Sequence, residues 1–147
     1  PSMDEEIKMI ELLEQGNPLD RLQPVVTAEE LLAVQHAVRQ VHVDPKIRRY
    51  IAEIVHLTRD CGDVSLGGSP RATLALFRTS QALAAVSGRN FVRPDDVKQL
   101  AGPVLNHRVI LRPESRLRKL TPAAVVADVV ADVAVPMMSN EPDAFSR

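Results

Sequence analysis

The chain has 147 residues, which is enough for one core-bearing domain or for a domain with an appendage. Its net charge of −1 excludes the strong basic excess that is typical of general nucleic-acid binders, so no nucleic-acid partner is expected. Only 3% of the residues are aromatic against 45% apolar, so the core must be built from aliphatic side chains and alanine. This composition favours closely packed helices over a β-sandwich.

Cellular location and possible membrane spans can also be judged from composition. Cys61 is the single cysteine and cannot form an internal disulfide, which favours a reducing cytoplasm. No apolar run approaches 18 residues, so no membrane span is expected. The chain opens on Pro1 and not on Met, which indicates a piece of a longer protein.

Capping residues mark the predicted helix starts. Ser2 with Glu5, and Thr27 with Glu30, have the spacing of a capping box, in which each side chain satisfies a free N–H of the other residue. Other starts place a polar residue before a proline, whose fixed φ suits the first helical position; they are Asp44-Pro45, Ser69-Pro70, Arg93-Pro94 and Thr121-Pro122. Glycines at 16, 62 and 88 mark ends, and the apolar residues between them recur with helical period. The six predicted helices span residues 3–15, 27–41, 44–60, 69–87, 94–105 and 122–133.

These elements predict an all-α bundle with connecting segments. Four core helices are expected within residues 27–105, with one further helix on each side. Residues 17–26 are predicted as a linker that contains proline, and Val109–Leu111 as a short extended piece.

Several catalytic motifs are missing from the sequence. There is no Gly-Lys dipeptide, so the phosphate-binding loop GxxxxGK[ST] is excluded, and no apolar run ends in Asp-Glu as in a Walker B metal site. The four histidines share no ligand spacing with acids or with Cys61, so no metal site is expected. The sequence therefore predicts that this chain is not an enzyme on its own.

The segment around residue 70 has an unusual charge pattern. A flexible Gly67-Gly68 pair leads to Ser69 at the N-cap, Pro70 at the first helical position and Arg71 at the second. A cation there faces the positive end of the helix dipole, typically at a cost of about 0.3–1 kcal/mol. A bound anion would reverse the sign, because free N–H groups and the guanidinium would converge on it. From spacing alone, a solvated Arg71 after a strong helix start remains the other interpretation.

Short motifs follow one another from residue 68 to residue 108: Gly68-Ser69-Pro70-Arg71-Ala72, Gly88-Arg89, Pro94-Asp95-Asp96-Val97, Leu100-Ala101, Val104-Leu105 and His107-Arg108. In this order and spacing they resemble the lid of MoxR-family AAA+ ATPases. The stretch Pro1–Glu6 resembles the end of the AAA+ core, so the resemblance covers roughly residues 1–136. Two departures are small: Gly68 stands where Ala is commoner, and Phe91 stands where Tyr is commoner.

The resemblance implies a division of the chain. It implies an AAA+ lid-type helical bundle with flanking N- and C-terminal helices. In chain order the predicted parts are the helical end of the AAA+ core (1–18), the helical lid (19–108), a C-terminal extension with a helix (109–136) and a disordered tail (137–147).

The resemblance also implies a function. The family carries an ATP-dependent, oligomeric remodelling or chaperone activity, often with partners that contain a von Willebrand factor A domain. The parent would use ATP and Mg²⁺ as part of a homo-oligomer, expected to be a hexamer, and the fragment would bind neither stably. Arg71 resembles the sensor-2 arginine that approaches the γ-phosphate, with Ser69 and Pro70 setting the helix start. Arg89 and Arg108 are candidate subunit contacts, although arginines at such helix ends are more often solvated or carbonyl-bonding residues.

Two other classes of protein share part of the pattern. A histone-fold-like interaction module also combines an Ala-rich helix, a Gly-Arg turn and a Val-x-Pro-Asp-Asp-Val helix start. The scarcity of lysine and the long flanking helices count against this alternative. The third possibility is a helical scaffold without any link to nucleotide.

Overall fold

The computed structural model describes residues 1–14 and 16–137, and the predicted tail beyond 137 lies outside them. In this part of the chain there are seven α-helices: α1 (Met3–Glu14), α2 (Ala28–Arg39), α3 (Pro45–Asp60), α4 (Pro70–Val86), α5 (Pro94–Leu105), α6 (Pro113–Leu117) and α7 (Pro122–Asp132). A short 3-10 helix (Pro18–Arg21) and two strands, β1 (Val64–Leu66) and β2 (Ile110–Leu111), complete the elements. The predicted all-α class is confirmed, and the six predicted helices are present with ends that differ by no more than two residues. The 3-10 helix, β1 and α6 were not predicted.

The chain divides into two compact units, Pro1–Gln35 and His36–Arg147. In the first unit both predicted capping boxes are formed. The amide of Ser2 donates to Glu5 at 2.7 Å, and the amide of Thr27 donates to Glu30 at 2.7 Å. Neither α1 nor α2 contains a buried residue, and both helices expose their large apolar side chains.

The core of the second unit is formed by α3, α4, α5 and α7. Aliphatic side chains fill it, as the shortage of aromatic residues predicts; the most deeply buried are Ile47, Ile51, Ile54, Val55, Leu76, Val92, Val97, Leu105 and Val126. Tyr50 is the one aromatic side chain among the fully buried residues of the described chain. The prediction that the four core helices lie within 27–105 is therefore wrong for α7, which it placed outside the bundle and which is buried in this core. Helical period identifies an apolar face, but it does not identify the element that covers that face.

A small antiparallel sheet joins two distant parts of the second unit. Val64 lies opposite Leu111 and Leu66 opposite Ile110, with an irregular register between the two pairs. Val64 and Leu111 face the core, whereas Leu66 and Ile110 are exposed. The extended piece predicted around Val109–Leu111 is thus present as β2. The sheet fixes the end of β1, which leads directly into the loop before α4.

Polar contacts hold the connections next to this sheet. The hydroxyl of the buried Ser115 in α6 donates to the Asp63 carboxylate at 2.7 Å, and Arg118 also donates to this carboxylate. The hydrogen bond from Ser115 lowers the pKa of Asp63, burial opposes this shift, and the charge of Arg118 adds to it; the net direction is downward. The amide of Arg112 donates to the Asp63 carbonyl at 2.9 Å. These bonds anchor α6 to the residue that precedes β1.

Candidate functional site

The start of α4 lies where the sequence predicts it. Pro70 is the first helical residue and Ser69 is the N-cap, with extended backbone angles. The Ser69 side chain makes no capping hydrogen bond, so Ser69 acts through its backbone carbonyl, which accepts from the Ala72 amide at 2.8 Å. Ala72 and Leu76 are fully buried, which fixes the face that α4 turns towards the core.

Arg71 lies on the exposed side of this first turn. Within the described residues its guanidinium makes no hydrogen bond, ion pair or ring contact. Its backbone amide is also unpaired there, and Pro70 has no N–H. The first turn of α4 thus carries an exposed cation and a free amide at the positive end of the helix dipole, which is an arrangement suited to an anion.

The two glycines before α4 lie tightly against the last turn of α3. A Cβ on Gly67 would lie 2.6 Å from the carbonyl oxygen of Thr58 and 2.7 Å from the amide nitrogen of Arg59. A Cβ on Gly68 would lie 2.9 Å from a methyl carbon of Val55. The interpretation of this pair as flexible is wrong, because its glycines are needed for close packing of the loop against a helix.

Thr58 binds this loop to α3. Its side chain is fully buried, and its hydroxyl donates to the Val55 carbonyl at 2.6 Å. The same hydroxyl accepts the Gly68 amide at 2.8 Å. Thr58 lies on the apolar stripe of α3 and was not among the site residues predicted from the sequence. A hydroxyl on such a stripe, ten residues before Gly68, is the one signal that could have indicated it.

Arg89 lies at the other end of α4 from Arg71. The 17 residues of that helix separate the two arginines by about 25 Å at 1.5 Å per residue. The Arg89 guanidinium donates to both carboxylate oxygens of Asp96, at 2.6 and 2.8 Å, and to the carbonyl of Phe91 at 3.1 Å. Gly88 has a φ of 72°, which matches its predicted role as the residue that ends the helix. Arg89 thus links α4 to α5 inside its own domain, and its predicted role as a subunit contact is not tested by this bond.

Arg108 lies nearer than Arg89 to the end of α4 that carries Arg71. It precedes β2, and the pairing of Leu66 with Ile110 brings this segment alongside the end of β1 that leads into Gly67. Arg108 is half-buried and its Nε lies 3.1 Å from His107 Nε2. The structure therefore places Arg71 and Arg108 towards the same end of α4, and Arg89 at the opposite end.

Two features are absent from residues 1–14 and 16–137: a metal-binding cluster and a membrane-spanning helix. No group of three or more His, Cys, Asp or Glu side chains in this part of the chain could hold a metal ion. No described helix is long and apolar enough to cross a membrane.

The chain is similar to known proteins over nearly its whole length. The family model of the AAA lid domain matches residues 56–136, more than half of the chain. The protein YeaC of Bacillus subtilis, named as uncharacterized, is 38% identical over 140 residues, which cover 95% of this chain and 44% of YeaC. Chaperone MoxR1 of Mycobacterium tuberculosis is 28% identical over 97% of this chain and 40% of its own length, and protein MoxR of Paracoccus denitrificans is 33% identical over 65% and 32%.

A solved structure shows the same fold. A candidate ATPase from Cytophaga hutchinsonii superposes with a TM-score of 0.79 at 23% identity, covering 92% of this chain and 44% of that one. The chain spans less than half the length of each of these relatives. The family match displaces the histone-fold alternative, which rests on an Ala-rich helix, a Gly-Arg turn and a helix start. The chain belongs to the AAA lid domain family and is a MoxR-like AAA+ lid fragment.

Proposed function

We propose that this chain is the lid of a MoxR-type AAA+ ATPase in which Arg71 acts as the sensor-2 arginine. ATP would lie between the lid and the AAA+ core of the same protein, with Arg71 directed at the terminal phosphate. The observation that carries the proposal is that Arg71, in the first turn of α4, has an exposed guanidinium and a backbone amide that are both unpartnered within the described residues. A change in phosphate state at this point would change the angle of the lid.

The residues present fit a phosphate group and do not fit Mg²⁺. A guanidinium and a helix N-terminus both favour phosphate oxygens, whereas Mg²⁺ requires oxygen ligands such as carboxylates. The described part of the chain offers no cluster of such ligands. The phosphate-binding loop and the metal-holding acid would therefore belong to the rest of the parent, and this chain alone would not hydrolyse ATP. Ser69 and Pro70 would direct Arg71 without contacting the nucleotide.

The parent assembly is part of the same proposal. We infer a homo-oligomer, expected to be a hexamer, that performs chaperone-like remodelling in the cytoplasm with partners that contain a von Willebrand factor A domain. The name of the Mycobacterium tuberculosis relative, a chaperone, supports the remodelling role. Of the two candidate subunit contacts, Arg108 would lie nearer to the nucleotide, because it lies towards the Arg71 end of α4, whereas Arg89 lies at the opposite end.

Comparing ATP and ADP affinity in the full-length protein tests the role of Arg71. If Arg71 contacts the terminal phosphate, Arg71→Ala weakens ATP binding while ADP binding changes little. Arg116→Ala is a matched control, since Arg116 is also an exposed arginine with no side-chain partner in the described chain. No loss of either affinity would return Arg71 to the role of a solvated surface residue, and an equal loss of both would show that Arg71 does not recognise the terminal phosphate.

A further inference from the structure

We propose that Thr58 is the positioning residue for Arg71: the hydrogen bond from the Gly68 amide to its hydroxyl fixes the direction in which α4 begins. This inference rests on the proposed function of Arg71. It adds a residue of α3, buried and out of reach of solvent, to the machinery that would sense the phosphate.

The hydroxyl of Thr58 holds the loop before α4 through one atom, the Gly68 amide nitrogen. Thr58 is fully buried, and its hydroxyl already has an acceptor in the Val55 carbonyl at 2.6 Å. Its lone pair then accepts the Gly68 amide at 2.8 Å. Gly68 is itself buried, so without Thr58 this amide would lose its partner in a place with little access to water.

The position of Gly68 is transmitted to Arg71 over a very short path. A Cβ on Gly68 would lie 3.3 Å from the Cβ of Ala72, so the loop and the first turn of α4 are already in contact. Ser69 and Pro70 alone separate Gly68 from Arg71, and both have fixed backbone conformations as N-cap and first helical residue. A displacement of Gly68 by a fraction of an ångström therefore moves the Arg71 backbone with it.

Two substitutions of Thr58 can separate the effect of its hydrogen bond from the effect of its packing. Valine keeps the branched shape and the methyl group of threonine, but its second methyl group cannot accept the Gly68 N–H and is larger than the hydroxyl that it replaces. Serine keeps the hydroxyl and loses a methyl group. Thr58→Val therefore tests the hydrogen bond, and Thr58→Ser tests the packing of the methyl group.

The test uses the full-length ATPase with Thr58→Val, Thr58→Ser and the control Ser80→Ala. Ser80 is a fully buried hydroxyl that bonds to Leu76 within α4 itself, so its removal affects the core without touching the loop. We expect Thr58→Val to lower turnover about tenfold, because small misplacement of a catalytic group is costly. Thr58→Ser and Ser80→Ala should keep turnover close to that of the wild type, with thermal unfolding confirming that all variants fold.

A double variant shows whether Thr58 acts through Arg71. Thr58→Val should cause no further loss of turnover when Arg71→Ala is already present, and hydrogen exchange at the Gly68 amide should become faster in Thr58→Val. Independent losses that multiply, or an unchanged Gly68 exchange rate, overturn the inference. Normal turnover in Thr58→Val beside impaired turnover in Arg71→Ala overturns the positioning role alone. Normal turnover in Arg71→Ala instead contradicts the proposed function itself.

Discussion

The guanidinium of Arg89 donates two hydrogen bonds, of 2.6 and 2.8 Å, to the carboxylate of Asp96. Asp96 is 6% exposed and also accepts the amide of Arg93 at 2.7 Å, so one carboxylate holds both sides of the turn between α4 and α5. Paired geometry of this kind is stronger and more directional than a single charged contact. The pair therefore fixes how α5 leaves α4.

This ion pair should make the stability of the domain depend on pH. Burial alone would raise the pKa of Asp96, but the hydrogen bonds from Arg89 and Arg93 outweigh it, and the net pKa lies below the ordinary value of 3.8. A lowered folded-state pKa stabilises the protein above the unfolded-state pKa, and this stabilisation is lost as the pH falls through the folded-state value. Asp96→Asn should lower the free energy of unfolding by about 3 kcal/mol at pH 7, because one partner of a largely buried pair is removed.

Urea denaturation of wild type and Asp96→Asn from pH 7 down to pH 2 measures this effect. The difference between the two proteins isolates Asp96 from other carboxylates with a lowered pKa, such as that of Asp63. It should be constant at neutral pH and shrink below about pH 3.8, as expected from linkage. A difference that stays the same throughout this range would show that the charge of Asp96 contributes nothing.

The close approach of Gly67 to α3 predicts a large effect from a single methyl group. Gly67→Ala would place a Cβ 2.6–2.7 Å from backbone atoms of Thr58 and Arg59, which cannot rotate away as a side chain can. The expected loss of stability is about 1–3 kcal/mol, as for overpacked sites in general. Gly62→Ala is the matched control, because a Cβ there meets nothing within 4 Å, and it should change stability by less than about 0.5 kcal/mol. Equal midpoints of denaturation for the two variants would refute the close packing of Gly67.

Substitution of one valine in α7 and one in α2 tests which of their side chains are buried. Val126 in α7 is 1% exposed, whereas Val34 in α2 is 59% exposed. Val126→Ala should cost about 2 kcal/mol, since it removes buried methyl groups and leaves a cavity. Val34→Ala should change the free energy of unfolding by less than about 0.5 kcal/mol. Chemical denaturation of both variants at neutral pH gives the comparison, and a larger loss at Val34 would restore α2 to the core.

Local signals predicted the helix ends well because the physics of a helix end is local. The capping boxes at Ser2 and Thr27 act within three residues, and both are formed as predicted. The distant contacts were not predictable in the same way. Nothing within α2 or α7 indicates which apolar face another element covers, and this depends on the placement of the rest of the chain.

In the candidate site, too, the local features are predictable from the sequence and the distant contacts are not. The helix start at Ser69 and Pro70, and the position of Arg71 in its first turn, follow from a few neighbouring residues. The bond from Gly68 to Thr58 joins residues ten apart through a helix end and a strand, and its one signal in the sequence is a hydroxyl on the apolar stripe of α3. The Gly pair was accordingly interpreted through its conformational freedom, whereas its packing against α3 is what the fold requires.

The last prediction concerns the chemistry of Arg71. In the full-length protein that we propose to be an ATPase, Arg71→Ala should lower the rate of hydrolysis by about 10²-fold, because one preorganised donor to developing negative charge is lost. Arg71→Lys should fail to restore full activity, since an ammonium group cannot reproduce the planar fork that binds two phosphate oxygens. Arg71 is exposed and contributes little packing, so thermal unfolding of the 147-residue chain should be nearly unchanged in both variants. Steady-state phosphate release measures both effects, with Arg116→Ala as the control. Full activity in Arg71→Lys would indicate that only the charge of Arg71 is needed. Normal turnover in Arg71→Ala would show that Arg71 takes no part in hydrolysis.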